Sequence, residues 1–480
     1  MNHESIIHMI GRILQIEAVF LTLPIIVALI YREDDFFSFL IVFLFCLVGG
    51  GLISLKKPGK SAFYAREGFV MVALGWLVMS LMGCLPFVLN GDIPDFTDAF
   101  FETVSGFTTT GSSILTDVEA LSHASLFWRS LTHWIGGMGV FVFLIAVMPM
   151  AGAQDMHLMR SESPGPDVGK LVPKLKNTAK LLYQIYFALT LLLVGLLLIT
   201  GMSLFEALTL SFGTAGTGGF AVKNSSIADY NALQQIIISV FMIMFGINFN
   251  FYYFLTVGKS LKSAFKMEEV RVYILIILAS TGLIMFNARD CFVSLFDSFN
   301  KSLFQVASII TTTGFATADF DLWPTASKTI LFILMFIGAC AGSTGGGIKV
   351  SRVVILFKSF HRELVRFLHP RLIKNIHSSG RVISRETVSG VKMYLAAYVI
   401  IYMISVLIIS FNDRDIVTTF TSVAATMNNI GPGLAEIGPV RNFADFSVVS
   451  KWVLMFDMLA GRLELYPMLL LFAPATWRSK

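Results

Sequence analysis

The chain has 480 residues, of which 55% are hydrophobic and only 14% charged, against roughly 25% charged in an average soluble domain. A mean hydropathy of +0.74 excludes a disordered chain, and a single water-soluble core could not enclose so much apolar surface. The formal net charge of +5 is too small to imply a nucleic-acid partner.

Apolar runs of about 20 residues each cross a bilayer core of about 30 Å. In chain order the candidate spans are Ile13–Ile30, Phe36–Leu55, Phe69–Leu89, Leu126–Met148 and Leu181–Met202, then Ala232–Val257, Val272–Asn287, Thr329–Phe357, Met393–Phe411 and Val448–Phe472. The first is long and lacks a small-residue cleavage site, so it reads as a span and not a signal peptide. Cys46, Cys84, Cys291 and Cys340 are scattered without metal or redox spacing and read as small packing residues. The expected fold is an all-α integral membrane protein.

Basic residues sort by connection. Lys56, Lys57, Lys60 and Arg66 follow the second span. The next connection on that side carries Arg160, Lys170, Lys174, Lys176 and Lys180, and the third Lys259, Lys262, Lys266 and Arg271. The fourth, Lys358–Lys392, is the richest. The alternate connections are acidic or mixed, most clearly at Asp92, Asp95, Asp98, Glu102, Asp117 and Glu119. The positive-inside rule places the basic connections, and with them both termini, in the cytoplasm.

Each outward connection holds a short apolar stretch and then a small-residue turn. The stretches are Asp95–Phe107, Ser203–Phe212, Phe296–Ile310 and Asp415–Ala425. The turns are Thr108–Ser113, Thr214–Phe220, Thr311–Ala316 and Met427–Gly433. Aligning them on Gly111, Gly219, Gly314 and Gly431 gives spacings of 108, 95 and 117 residues. The pattern is a four-fold repeat of span, short helix, turn and span. Two leading helices (1–60) precede repeats at 61–155, 156–260, 261–385 and 386–480.

A half-spanning helix that ends in an irregular turn leaves backbone groups unpaired at membrane depth, which is tolerated only inside protein or along a water-filled path. Four such turns around one axis could offer carbonyl oxygens in place of a cation's water shell, with the negative ends of the short helices pointing at it. The plainer alternative is that Gly and Thr only let helices pack closely. The matching positions of all four turns favour the ring.

These turns, with AGSTGGGIKVSR (Ala341–Arg352), NNIGPGL (Asn428–Leu434) and GRLELYP (Gly461–Pro467), resemble the Trk/Ktr/HKT superfamily of potassium transporters, nearest its bacterial TrkH/TrkG branch of membrane subunits. The resemblance covers nearly the whole chain. It implies four pore repeats around one potassium pathway, a homodimer, and a cytosolic TrkA-like regulatory ring that binds NAD or ATP. It also implies filter positions at Thr109, Thr110 and Gly111; Thr217, Gly218 and Gly219; Thr312, Thr313 and Gly314; and Asn429, Ile430 and Gly431. Serine in place of the first-turn glycine accompanies sodium preference in plant relatives, so Gly111 favours potassium. The second and fourth turns depart from TTTG, so the ring is not four-fold in detail.

Two features inside the membrane stand out. Thr329–Phe357 is interrupted by Gly338–Gly347. Five glycines in ten residues make a poor helix, because each costs roughly 1 kcal/mol relative to alanine. The segment reads either as a kinked, closely packed helix or as a loop that blocks the pathway below the filter. The resemblance implies the second, a gate formed by Gly338, Gly342, Ser343, Thr344, Gly345, Gly346 and Gly347 together with Arg462. The lysine of GSTGGGIK is one place late for a phosphate-binding loop, so no nucleotide is expected on this chain itself. Arg462 lies mid-span, where a cation costs about 2.5 kcal/mol or more. It is either half of an ion pair with Asp457 or Glu464 or, as the resemblance implies, a positive constriction below the filter.

Glu17, Arg129, His133 and Lys451 also lie in or near spans. His133 is expected to hydrogen-bond between helices and not to carry protons. Lys358–Lys392 could anchor at lipid headgroups or dock the regulatory ring. The leading functional reading is potassium uptake driven by membrane potential. The alternative is a symport coupled to protons or sodium, with Glu17 and Asp457 as weak candidates for the coupling site. A membrane-embedded enzyme would need clustered catalytic groups, and the eight histidines are dispersed.

Overall fold

The computed structural model describes residues 3–56, 65–147, 175–256, 261–371, 375–379 and 381–477. Lys57, Lys60, Arg160, Lys170, Lys174, Lys259 and Lys374 of the basic connections lie outside them. Helices make up nearly all of the regular structure. Among the described residues the exception is a two-residue antiparallel ladder, His377–Ser378 with Arg381–Val382.

Helices α1 (His3–Tyr31) and α2 (Phe36–Ser54) form the leading hairpin. They meet at Gly11 and Gly50, where a Cβ on either would press on the other's carbonyl oxygen at 2.7–2.8 Å, the close approach that small residues permit in membranes. Glu33, between the two helices, reaches the start of the helix that begins at His123. Its carboxylate accepts from the His123 (2.8 Å) and Ala124 (3.0 Å) N–H groups. It thereby satisfies two orphan donors at a helix start.

Four units follow, each a span, a short helix and a second span. The first is α3 (Ala65–Asn90), α4 (Phe96–Phe107) and α5 (His123–Val147). The second is α6 (Leu175–Ile199), α7 (Leu204–Gly216), α8 (Ala232–Gly246) and α9 (Phe249–Thr256). A short α10 (Leu261–Phe265) leads to the third: α11 (Glu268–Asn287), α12 (Leu295–Ile310), α13 (Thr325–Ile337) and α14 (Val350–Leu368). The fourth is α15 (Arg385–Ser410), α16 (Ile416–Met427), α17 (Val448–Arg462) and α18 (Tyr466–Phe472), with α19 (Pro474–Trp477) at the end.

Each short helix starts on a side-chain cap. Asp95, Ser203, Ser294 and Asp415 accept from the N–H three residues on, which fixes where the chain re-enters the protein. The helices are 12, 13, 16 and 12 residues long. At 1.5 Å per residue they reach about 18–24 Å, too little to cross.

Packing closes the units into a ring. Besides its own spans, α7 packs on α5, α12 on α8, α16 on α13 and α4 on α17. Each short helix thus rests on the second span of the unit before it, and the first unit rests on the last. The outward faces are apolar and exposed, as at Leu44, Val48 and Leu52 of α2 or Val399, Met403 and Leu407 of α15, which suits hydrocarbon and not water.

Among the described residues six helices are long and apolar enough to cross a membrane. The second spans of units 2, 3 and 4 are broken. The interruption expected at Gly338–Gly347 separates α13 from α14. Ala232–Val257 and Val448–Phe472, expected to be continuous, are not. Helices α8 and α9 meet at 92° across Ile247–Asn248. Helix α17 ends at Arg462, and Glu464 and Leu465 take φ of 59° and 69°. Neither gap carries a proline or glycine; the bend at Ile247–Asn248 is set by what its freed backbone bonds to elsewhere, and the one after Arg462 by local turns.

Candidate functional site

The four short helices end alike. In each, the residue after the helical turn is left-handed: Thr109, Thr217, Thr312 and Asn429 have φ of 54°, 55°, 59° and 55°. The next N–H then reaches back five residues, from Thr110 to Ser105, Gly218 to Gly213, Thr313 to Ser308 and Ile430 to Ala425, at 2.8–2.9 Å. This is the Schellman ending, which normally places glycine at the left-handed site. Three β-branched threonines there store backbone strain, on the order of 1–2 kcal/mol each. Two of the short helices end where the apolar stretches suggested, at Phe107 and Ile310, and two run further, by four residues to Gly216 and by two to Met427.

The aligned glycines come next. Gly111, Gly219, Gly314 and Gly431 have φ of 79°, 81°, 85° and 99°. Each backs onto a carbonyl oxygen of the following unit. A Cβ at Gly111 would meet Gly218 O, one at Gly219 would meet Thr313 O, and one at Gly314 would meet Ile430 O. The circuit closes where a Cβ at Gly431 would lie 2.9 Å from Thr110 O. All four glycines line one cavity of about 110 Å³. The twelve residues expected at the filter are thus brought together. The four helix C-termini, each with a partial negative charge, converge on the same place.

Side chains lock neighbouring turns. Asn429 Nδ2 donates to Thr110 Oγ1 and to Met458 O, both at 2.9 Å, and Ser112 Oγ donates to Gly431 O at 3.1 Å. Hydroxyls pair within the first and third turns, Thr108 with Thr110 at 2.8 Å and Thr311 with Thr313 at 2.7 Å. His133 bridges units 1 and 2. Its Nε2 accepts from the Phe220 N–H (3.1 Å), so Nδ1 carries the proton and donates to Gly106 O (2.7 Å). The expected hydrogen bonding of His133 to neighbouring elements is present.

Two roles were missed in the sequence. Glu102, counted there among outward acidic residues, is 1% exposed. It pairs with Arg129 at 2.7 Å and accepts from Ser113 Oγ and the Ile114 N–H. Arg129 in turn stacks over Phe220 at 4.0 Å and donates to Ala221 O, so the pair buttresses two turns at once. A carboxylate inside an apolar half-helix was the available signal. Lys451 was noted without a role. It pairs with Asp98 at 2.5 Å and ties the last unit to the first.

The glycine loop lies directly under the turns. The Gly346 N–H donates to Thr312 Oγ1 at 2.6 Å. A Cβ at Gly345 would sit 2.8 Å from Thr311 O, and one at Gly346 would sit 2.5 Å from Asn428 O. Gly338 and Gly347 lie back to back at the neck of the loop, Ser343 Oγ donates to Cys340 O, and Gly342 O accepts from the Phe249 N–H. Lys349, with φ of 74°, is 2% exposed and turns its Nζ back onto Gly345 O. Arg462 donates to Thr344 O at 2.7 Å and to Gly136 O on α5 at 2.6 Å. Of the carboxylates considered for it, Glu464 pairs with Arg352 at 2.5 Å and Asp457 accepts from Ser405 Oγ at 2.7 Å.

The model of a family described as cation transport proteins matches residues 35–479. The chain belongs to this TrkH family. The Trk system potassium uptake protein TrkH of Salmonella typhimurium is 37% identical, with both chains covered completely. TrkG of Escherichia coli is 32% identical over all of this chain and 99% of its own. The crystal structure of the potassium transporter TrkH from Vibrio parahaemolyticus superposes with a TM-score of 0.90 at 34% identity, covering both chains completely. TrkH-family membership sets aside the membrane-enzyme reading, since these relatives are transport proteins.

Proposed function

We propose that this TrkH-family chain is a potassium-uptake subunit of the bacterial inner membrane, with both termini in the cytoplasm. Potassium would shed water onto the carbonyl ring of Thr110, Gly218, Thr313 and Ile430 and the neighbouring filter residues. The observation that carries this reading is the closed circuit in which each turn glycine backs the next unit's carbonyl. Relatives named as potassium uptake proteins support the choice of ion. An inside-negative potential contributes about 2.3 kcal/mol per charge per 100 mV, enough to accumulate the ion without a pump.

In this reading residues 338–347 and Arg462 are the gate. The hydrogen bonds from Gly346 to the third turn and from Arg462 to Thr344 support it. The repeat boundaries near residues 61, 156, 261 and 386, a homodimer, and a cytosolic TrkA-like ring acting on the basic face complete the proposal. Coupled symport has less support. Glu17 lines an apolar cavity with Phe20, Trp76 and Phe107, and Asp457 faces Ser405. Neither is among the residues that line the cavity at the four glycines.

Rubidium uptake into vesicles holding the purified chain tests both readings. Flux should follow the imposed potential without a proton or sodium gradient, and a strict requirement for a second gradient would overturn the channel reading. Shortening Ser343–Gly346 should raise flux without a partner. Unchanged flux, in protein that reaches the membrane, would remove the gate.

A further inference from the structure

Two of the broken spans are fitted into each other. The bend between α8 and α9 frees backbone carbonyls at Phe245 and Gly246. The glycine loop takes them up: the Cys340 N–H donates to Gly246 O at 3.0 Å, and the Thr344 N–H and hydroxyl donate to Phe245 O at 3.4 and 3.3 Å. In return the Phe249 N–H, at the start of α9, donates to Gly342 O at 2.9 Å. Unpaired backbone at this depth is costly, so each break depends on the other.

One carboxylate joins them. Glu269, in the first turn of α11, accepts from the Ala341 N–H at 2.6 Å and the Ser351 N–H at 3.1 Å. Ala341 lies within the loop and Ser351 in the first turn of α14 beyond it, so a single side chain ties the loop to the helix that follows it. The other oxygen accepts from the side-chain amide of Asn248, in the elbow, at 3.4 Å. Charge-assisted bonds of this kind are among the stronger ones.

The residue before it faces the other way. Glu268 pairs with Lys358 on α14 at 2.5 Å and accepts from the Ser379 N–H at 3.3 Å. Its own N–H donates to Ser379 Oγ at 3.1 Å. Lys358 also donates to His377 O at 2.7 Å, in the small ladder. Adjacent carboxylates on one helix start thus hold the loop and elbow on one side and the basic cytoplasmic face on the other.

We propose that Glu269 is a positioning residue that latches the glycine loop to the α8–α9 elbow, and that Glu268 transmits displacement of the cytoplasmic face to that latch. The inference rests on reading residues 338–347 as the gate. A partner that draws Lys358 or the ladder away tilts the first turn of α11. Glu269 then loses its donors, and loop and elbow release together because each holds the other's backbone.

The test is basal rubidium flux of the full chain in vesicles at fixed inside-negative potential, without partner. Glu269→Ala should raise flux about tenfold. Glu269→Gln, which keeps an acceptor oxygen, should raise it less. Adding Glu269→Ala to a shortened Ser343–Gly346 loop should add nothing further. The buried Cys340 thiol supplies a second readout. With the exposed Cys291 replaced by serine, a small thiosulfonate reagent should label Cys340 faster in Glu269→Ala than in the parent. If loop shortening raises flux while Glu269→Ala changes neither flux nor labelling, the latch is overturned and the gate stands. If loop shortening itself changes nothing, both fall. Should Glu269→Ala fail to reach the membrane, Glu269→Gln and Asn248→Ala decide in the same way: raised flux supports the latch, and parental flux in both overturns it.

Discussion

Replacing Gly219 by alanine probes the carbonyl ring most directly. Gly219 has φ of 81°, a conformation that costs an L-residue about 1–2 kcal/mol. The new Cβ would also land on Thr313 O. That oxygen is built into the third turn, whose Thr313 N–H is held by Ser308 O at 2.8 Å, so the collision has to be relieved by moving the turn itself. If only half of about 2 kcal/mol falls unequally on the two ions, selectivity changes about fivefold, since 1.4 kcal/mol is a factor of ten. The assay is paired rubidium and sodium uptake into vesicles at one imposed potential. Gly282→Ala is the control, because a Cβ there meets nothing within 4 Å and should leave both fluxes alone. Gly219→Ala that reaches the membrane with the parental rubidium-to-sodium ratio would refute the assignment of these carbonyls to the ion path.

Glu102→Gln breaks a buried ion pair and should lower stability by about 3–5 kcal/mol, seen as a lower midpoint of thermal unfolding in detergent; adding Arg129→Met should recover part of the loss. Arg462→Ala removes two donors from Thr344 O and Gly136 O and should alter single-channel conductance, whereas unchanged currents would leave the arginine a purely structural role. Asn429→Ala deletes two buried hydrogen bonds and a residue tolerant of the left-handed conformation, at about 2–3 kcal/mol in all; measured melting should fall and the rubidium-to-sodium ratio should drop, and retention of both would argue against the link to Thr110.

Much of this was legible in the sequence. Aligning the four turns on their glycines placed each residue in its observed register, because a glycine forced by a positive φ and a close neighbour cannot drift. The glycine cluster at 338–347 announced its own break for the same reason. The elbow at Ile247–Asn248 was not legible, since it sits in an apolar run and depends on Cys340 and Thr344 donating to its freed carbonyls. Likewise Glu269 read as an ordinary acidic start to a helix, and only the folded chain brings it to Ala341 and Ser351. The left-handed threonines were hidden because their identity argues against the conformation they hold.

The hydroxyl pairs described in the first and third turns lie on opposite sides of the ring. Thr108 with Thr110, and Thr311 with Thr313, brace one diagonal by bonds within each turn. The other diagonal has glycines at Gly218 and Gly219 and a fourth turn whose Asn429 amide bonds to its neighbours, Thr110 and Met458, and not within the turn. On the proposed ion path the ring would then have a stiff axis and a compliant one, and an ion of the wrong radius would deform it into an ellipse along the second.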